Sequence, residues 1–265
     1  MPGHKRCIVL PLLTSLETLR VHIAPMGFEV DRIVMPAQRM RADRIWLLNH
    51  NQPEDRGNPF TSQVEKKLKN SSIECRKTQA DRTDLFDILK AFHRIILQEQ
   101  SNSIFVNVSV GSKIQAIASM MACMMFKDRV TIKPYYVVPE KYSITPQQKQ
   151  ETEGTDKIMA LPHYRIEIPN NKLIKCLEII DDHNTGKISK KKLKDIAIQN
   201  KLIHVGNRSD GGNDEHSEQA GFMALNKNLI EPLKSWRFIS VEKVGSNHMV
   251  SLTNEGRDAL RFLRV

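Results

Sequence analysis

Ser103-Ile104-Phe105-Val106-Asn107-Val108-Ser109-Val110-Gly111-Ser112-Lys113 runs directly into Ile114-Gln115-Ala116-Ile117-Ala118, and this stretch decides the fold class. Ile104 to Val108 is a short apolar run rich in β-branched residues, the pattern of a buried strand. Asn107, Ser109, Gly111 and Ser112 interrupt it with small polar residues. From Ile114 the apolar spacing changes to Ile114, Ile117, Ala118, Met121 and Met125, a helical period. The stretch therefore predicts a strand, a small polar turn and a helix N-terminus. That arrangement offers backbone N–H groups, hydroxyls and the helix dipole to an anionic ligand, with Lys113 adding a full positive charge. It is not a Walker loop, because the Gly-x-x-x-x-Gly-Lys-[Ser/Thr] spacing is absent. The bland alternative is an ordinary βα turn.

Working outward, strand and helix patterns alternate. Val21 to Ala24 predicts a strand, ended by Pro25-Met26-Gly27-Phe28, and a helix follows over about Val30 to Met40. Arg44 to Leu48 predicts a strand, Asn49 to Pro59 a loop, Ser62 to Lys69 a short helix and Ile73 to Lys77 a third strand. Asp84 to Gln98 carries the stripe Leu85, Ile88, Leu89, Phe92, Ile95 and Ile96 of an amphipathic helix. Thr131 to Val138 and Ile158 to Leu161 predict further strands, with Gln147 to Gly154 an exposed loop between them. Alternation of this kind implies a mostly parallel sheet covered on both faces. Ligands then bind beyond the carboxyl ends of the strands, at turns such as Pro25–Phe28 and Ser109–Lys113. Gly27 permits close backbone approach there. No Gly-x-Gly-x-x-Gly is present, which argues against a dinucleotide enzyme.

The second half predicts helices over about Asn171–Asp182, from a Ser189 cap to about Gln199, and over about Glu218–Ser235. His204 to His216 reads as a loop. Phe238–Val244 and His248–Leu252 form a hairpin around Gly245-Ser246-Asn247, and Thr253 caps a last helix. Three helices followed by a hairpin is the order of a winged helix-turn-helix, in which the third helix enters the major groove. Asn226, Lys227, Asn228 and Lys234 are then candidate groove contacts. Lys243, Ser246, Asn247 and His248 belong to the wing, and Lys190 and Lys191 to the basic start of the second helix. The alternative is a winged helix that serves only protein contacts. Asp181 to Ser189 resembles the start of a calcium loop, but Lys192 stands where a bidentate Glu is required. No metal site and no catalytic residue is assigned.

Composition sets the frame. The formal charge of +10 over 265 residues favours polyanionic partners, and both halves are mildly basic. Cys7, Cys75, Cys123 and Cys176 are far apart and read as reduced thiols of a cytoplasmic protein. No apolar run approaches a membrane span. The expected division is an extension over 1–18, a Rossmann-like domain over 19–161, a linker over 162–169 and the winged helix over 170–265.

Val21 to Phe28, the Asn107-x-Ser109-x-Gly111-Ser112-Lys113 turn and the C-terminal pattern together resemble archaeal CARF-domain (CRISPR-associated Rossmann fold) winged helix-turn-helix transcriptional regulators. The resemblance runs from about Leu19 to the end. It implies a homodimer that binds a cyclic oligoadenylate across its two-fold axis and double-stranded DNA through the winged helices, with no resident cofactor. Carried over, the ligand loops are Pro25, Met26, Gly27 and Phe28, with Asn107, Ser109, Val110, Gly111, Ser112 and Lys113. Val110 stands where the family turn often has a second glycine. Some CARF proteins cleave cyclic oligoadenylate, an alternative in which Ser112 and Lys113 would orient and stabilise in-line attack. A third reading is a protein-interaction adaptor.

Overall fold

The computed structural model describes residues 18–142, 150–183, 186–204 and 214–264, so nearly all of the expected N-terminal extension and most of the 204–216 loop lie outside the described residues. The first part is a six-stranded sheet in the order β3-β2-β1-β4-β5-β8. Its parallel strands are β1 (Arg20–Pro25), β2 (Arg44–His50), β3 (Glu74–Ala80), β4 (Ser103–Asn107) and β5 (Ile132–Val138). β6 (Lys141–Tyr142) and β7 (Thr152–Glu153) pair antiparallel as a small separate sheet, and β8 (Lys157–Ala160) closes the large sheet antiparallel to β5. The 147–154 stretch, expected as plain loop, thus contains β7.

Alternation along the strands decides which residues face which helices. Val21 and Ile23 of β1, Trp46 and Leu48 of β2, and Ile104 and Val106 of β4 pack against α3 (Leu85–Gln98) and α4 (Lys113–Phe126). Ala24, Ile45 and Leu47 face the other way, against α1 (Asp31–Arg39) and α2 (Asn58–Asn70). α2 begins four residues before the expected Ser62, with Pro59 in its first turn, where a missing N–H costs nothing. Asp84 starts α3 by accepting from the Phe86 and Asp87 N–H groups.

The second part is a winged helix. α5 (Asn171–Asp181) and α6 (Lys190–Gln199) are capped by Asn170 and Ser189. α7 (Asp214–Leu225) continues through a π-helical turn (Asn226–Ile230) into α8 (Glu231–Ser235). The hairpin of β10 (Ile239–Val244) and β11 (Asn247–Leu252) turns on Gly245 and Ser246, with φ +60° at Gly245. β9 (Lys187–Ser189), which the sequence pattern did not announce, adds a third strand against β11. α9 (Asn254–Leu263), capped by Thr253, packs on both α3 and α5, so Phe262 joins the two cores. Among the described residues, no helix is long and apolar enough to cross a membrane.

Candidate functional site

The strand order reverses between β1 and β4, and the helices that follow these two neighbours, α1 and α4, lie on opposite faces of the sheet. A crevice opens at such a switch point. Here it is a cleft of about 250 Å³ whose walls include Met26, Gly27 and Phe28 from the first loop and Ser109, Val110, Gly111 and Ser112 from the second. The loops touch through two glycines. A Cβ on Gly27 would lie 3.2 Å from the Gly111 Cα, and one on Gly111 would lie 2.8 Å from the Pro25 Cβ. Gly111 also has φ +78°, a conformation that L side chains resist. Pro25 therefore supports the cleft from below.

Asn107 anchors the second loop from beneath. Pro36 lies inside α1 and has no N–H to give the carbonyl four residues back. That carbonyl, of Arg32, takes the Asn107 Nδ2–H instead, at 2.8 Å. Asn107 Oδ1 accepts from the Ser109 backbone N–H (3.1 Å) and hydroxyl (2.5 Å). A single buried amide thus ties α1 to the start of the ligand turn. Beside it His22 is fully buried, its Nδ1 3.0 Å from the Tyr135 hydroxyl and its Nε2 without a partner among the described residues. Burial, helped by Arg20, pushes its pKa down to about 4.

The α4 N-terminus closes the cleft with a capping box: the Ser112 N–H donates to Gln115 Oε1 and the Gln115 N–H to Ser112 Oγ. The Ser112-x-x-Gln115 spacing carries this signal in the sequence. Those two N–H groups are consumed, and Ala116 N–H bonds the Ser112 carbonyl. The Lys113 and Ile114 N–H groups are left at the open end of the helix, with no partner among the described residues. Lys113 itself is exposed and does not line the cleft. The cations on its walls are Arg32 and Arg82.

Sequence reasoning missed both, together with Glu29, Gln115 and Glu151. Arg32 is buried, donating to the Val137 carbonyl (2.8 and 3.1 Å) and to Glu29 Oε1 (3.3 Å). Glu29 Oε2 accepts the Thr152 hydroxyl at 2.6 Å, and burial raises its pKa against the opposing pull of Thr152 and Arg32. Arg82, on the turn after β3, holds Asp55 Oδ1 at 2.6 Å, and its carbonyl receives the Ser112 hydroxyl. Two carboxylates therefore border the cleft: Glu29, which directly follows the first loop, and Glu151, which is distant in sequence from both loops.

A second concavity, of about 590 Å³, lies in the winged helix between the α6 start, α7 and the wing tip. It gathers Lys190, Lys191, Ser246, Asn247 and His248 with Glu218, Gln219 and Phe222. Lys243 stands opposite His248 in the hairpin register. Glu218 sits 3.6 Å from Lys191 and 3.4 Å from Lys194, whose ammonium covers the Phe222 ring at 4.6 Å. Lys227, Asn228 and Lys234 are exposed but stand away from this groove, on the π turn and α8. Asn226 is half-buried, its Oδ1 unpartnered among the described residues.

Comparison with known proteins follows the same division. Residues 20–142 match the HFX_2341_N-like, N-terminal family, and residues 172–264 match the DUF6293 C-terminal winged helix domain. The uncharacterized protein MJ1513 of Methanocaldococcus jannaschii is 34% identical over 151 residues, 54% of this chain and 45% of that protein. The chain thus spans about half the length of this curated relative. Among solved structures, Enterococcus italicus Csm6 bound to cyclic hexa-2'-fluoro-hexa-dAMP aligns with TM-score 0.41 and 10% identity, over 84% of this chain and 57% of that one. Can2 from Sulfobacillus thermosulfidooxidans in complex with cyclic tetra-adenylate aligns with TM-score 0.39 and 13% identity, over 91% and 61%. The chain is an α/β protein in which a mostly parallel six-stranded sheet is followed by a winged helix domain.

Proposed function

We propose that this protein is a cytoplasmic, ligand-responsive DNA-binding transcriptional regulator, and not an enzyme. Its cleft takes a cyclic oligoadenylate or a related nucleotide, and its winged helix binds double-stranded DNA. The observation that carries the reading is the convergence of two strand-end loops, the open α4 N-terminus and Arg82 on one small cleft at the switch point. Backbone donors and a guanidinium suit a phosphodiester. Arg82, rather than Lys113, is its charged partner. In the winged helix, Lys190, Lys191 and the wing tip supply the charge and hydrogen bonds that phosphates attract.

A homodimer fits the same picture. α4 is apolar around most of its circumference: Ile117 is 52% exposed, and Met120 and Met124 are only partly covered. An apolar outer face on a surface helix calls for a partner, and a second copy supplies the matching face. At about 250 Å³ the cleft is smaller than a typical enclosed ligand site of ~300–1,000 Å³. It suits part of a ring whose remainder occupies a second copy's cleft.

A second reading is favoured by one observation, the carboxylates of Glu29 and Glu151 on the cleft wall. With its pKa raised, Glu29 has the character of a general acid or base for ring cleavage.

Calorimetric titration with cyclic tetra-adenylate, followed by chromatography of the recovered nucleotide, tests both. The first reading predicts intact ligand bound at one ring per two chains. Arg82→Ala should weaken affinity about tenfold or more and Lys113→Ala much less, since only the former removes a charged hydrogen-bond partner from the cleft. Linear product would assign the second reading, and absence of heat would refute both.

A further inference from the structure

We propose that the Asp81–Asp84 turn is a lever that connects the cleft to the winged helix domain. The inference rests on the regulator reading and supplies its route of communication.

The turn has two functional ends only two residues apart. Arg82 lines the cleft and is held on Asp55, while the Arg82 carbonyl receives the Ser112 hydroxyl from the ligand turn. Asp84 caps α3 and binds the Arg261 guanidinium of α9. Arg261 also lies over the Phe86 ring at 4.7 Å, and Phe86 stacks on Phe262 with the rings 13° from parallel. About two helical turns further along α3, His93 Nδ1 meets the Phe262 carbonyl at 3.1 Å. α9 is thus fastened to α3 at the very residue that ends the turn.

Between its ends the turn is stiff. Asp81 Oδ1 accepts from the Thr83 N–H (2.8 Å) and hydroxyl (2.7 Å), the Asp84 N–H bonds the Asp81 carbonyl, and the Asp81 N–H bonds Asp87 Oδ2 of α3. A segment held at so many points moves as one piece. The two states of the device differ in the partner of Arg82. In one it pairs with Asp55; in the other an anionic ligand in the cleft draws it away. Differential affinity for these two arrangements is what makes a switch. Because α9 also packs on α5, displacement at Asp84 reaches the winged helix core.

Hydrogen exchange on the full chain without any nucleotide tests the lever separately from the ligand reading. In Arg82→Ala the α9 amides (254–263) should exchange about fivefold faster or more, although Arg82 touches nothing in α9. Glu151→Gln, on the opposite cleft wall, should leave α9 as in the wild type. Unchanged α9 exchange in Arg82→Ala, or an equal change in Glu151→Gln, overturns the proposal. If Arg82→Ala loosens β1 and β4 as well, the reciprocal variant decides. Arg261→Ala must speed exchange at 109–112, which Arg261 does not contact, and no change there overturns the lever. Failure of cyclic tetra-adenylate to bind would be read in the titration and leaves this result standing.

Discussion

The cleft and the wing groove are both polar concavities, yet they are built in opposite ways. Cleft geometry is set by backbone: two loops meet at Gly27 and Gly111, and the buried amide of Asn107 and a capping box fix the second of them. The groove is set by side chains, with lysines on long stems over an exposed rim and a hairpin tip with open space around it. A small ligand is discriminated by donors that stand in place before it arrives. A polyanion is held by charge, which tolerates mobile side chains and is screened by salt. The contrast therefore separates a site for recognition from a surface for attraction.

The largest effect that bears on this contrast comes from beneath the cleft. Buried His22 titrates near 4 in the folded chain and near 6.5 when unfolded, because burial disfavours its charged form. Its neutral ring is fully accommodated above pH 6.5, and stability falls as pH drops from there toward 4, where the unfolded chain gains the proton first. The full span is worth about 3 kcal/mol. Urea unfolding followed across that range should show the loss, and His22→Phe should flatten it.

Next come two glycines with the same backbone habit and different surroundings. Gly111 (φ +78°) and Gly245 (φ +60°) both occupy the left-handed region, so alanine strains each by about 1–2 kcal/mol. A Cβ at 245 meets nothing within 4 Å, whereas at 111 it meets Pro25 and Gln115 Oε1. Gly111→Ala should lower the melting temperature clearly more than Gly245→Ala and abolish nucleotide binding, while Gly245→Ala leaves the cleft intact. Equal losses would mean that the cleft is not backbone-built.

The smallest stability effect belongs to the groove. Replacing Lys190 and Lys191 with alanine should leave the melting temperature nearly unchanged. It should reduce the slope of log affinity for duplex DNA against log salt by about 2. An unchanged slope would move the DNA face to Lys227 and Lys234, on the π turn and α8.

How much of this was legible follows the same division between local and distant. The strand, turn and helix at 103–118 were written in apolar spacing, and Gly27's close approach in the residue type itself. The cap residues Ser189 and Thr253 were equally local. β9 was not legible, because a three-residue strand exists only through its pairing with β11, some sixty residues later. Arg82 and Glu151 escaped for a similar reason: only the strand order β3-β2-β1-β4-β5 carries their loops to the switch point. Lys113 drew attention by adjacency in sequence, but the first residue of a capped helix projects its side chain outward here. α7 begins at Asp214, within what reads as a Gly- and Asn-rich loop and four residues before the expected Glu218.

The central claim is that occupancy of the cleft changes what the winged helix does. The most direct measurement is fluorescence anisotropy of a labelled duplex from the protein's own promoter, titrated with the full chain at fixed salt, with and without saturating cyclic tetra-adenylate. The account predicts that the nucleotide shifts the DNA Kd by about fivefold or more, and that Arg261→Ala removes the shift while retaining both ligands. Identical Kd values in the presence of demonstrably bound nucleotide would contradict it.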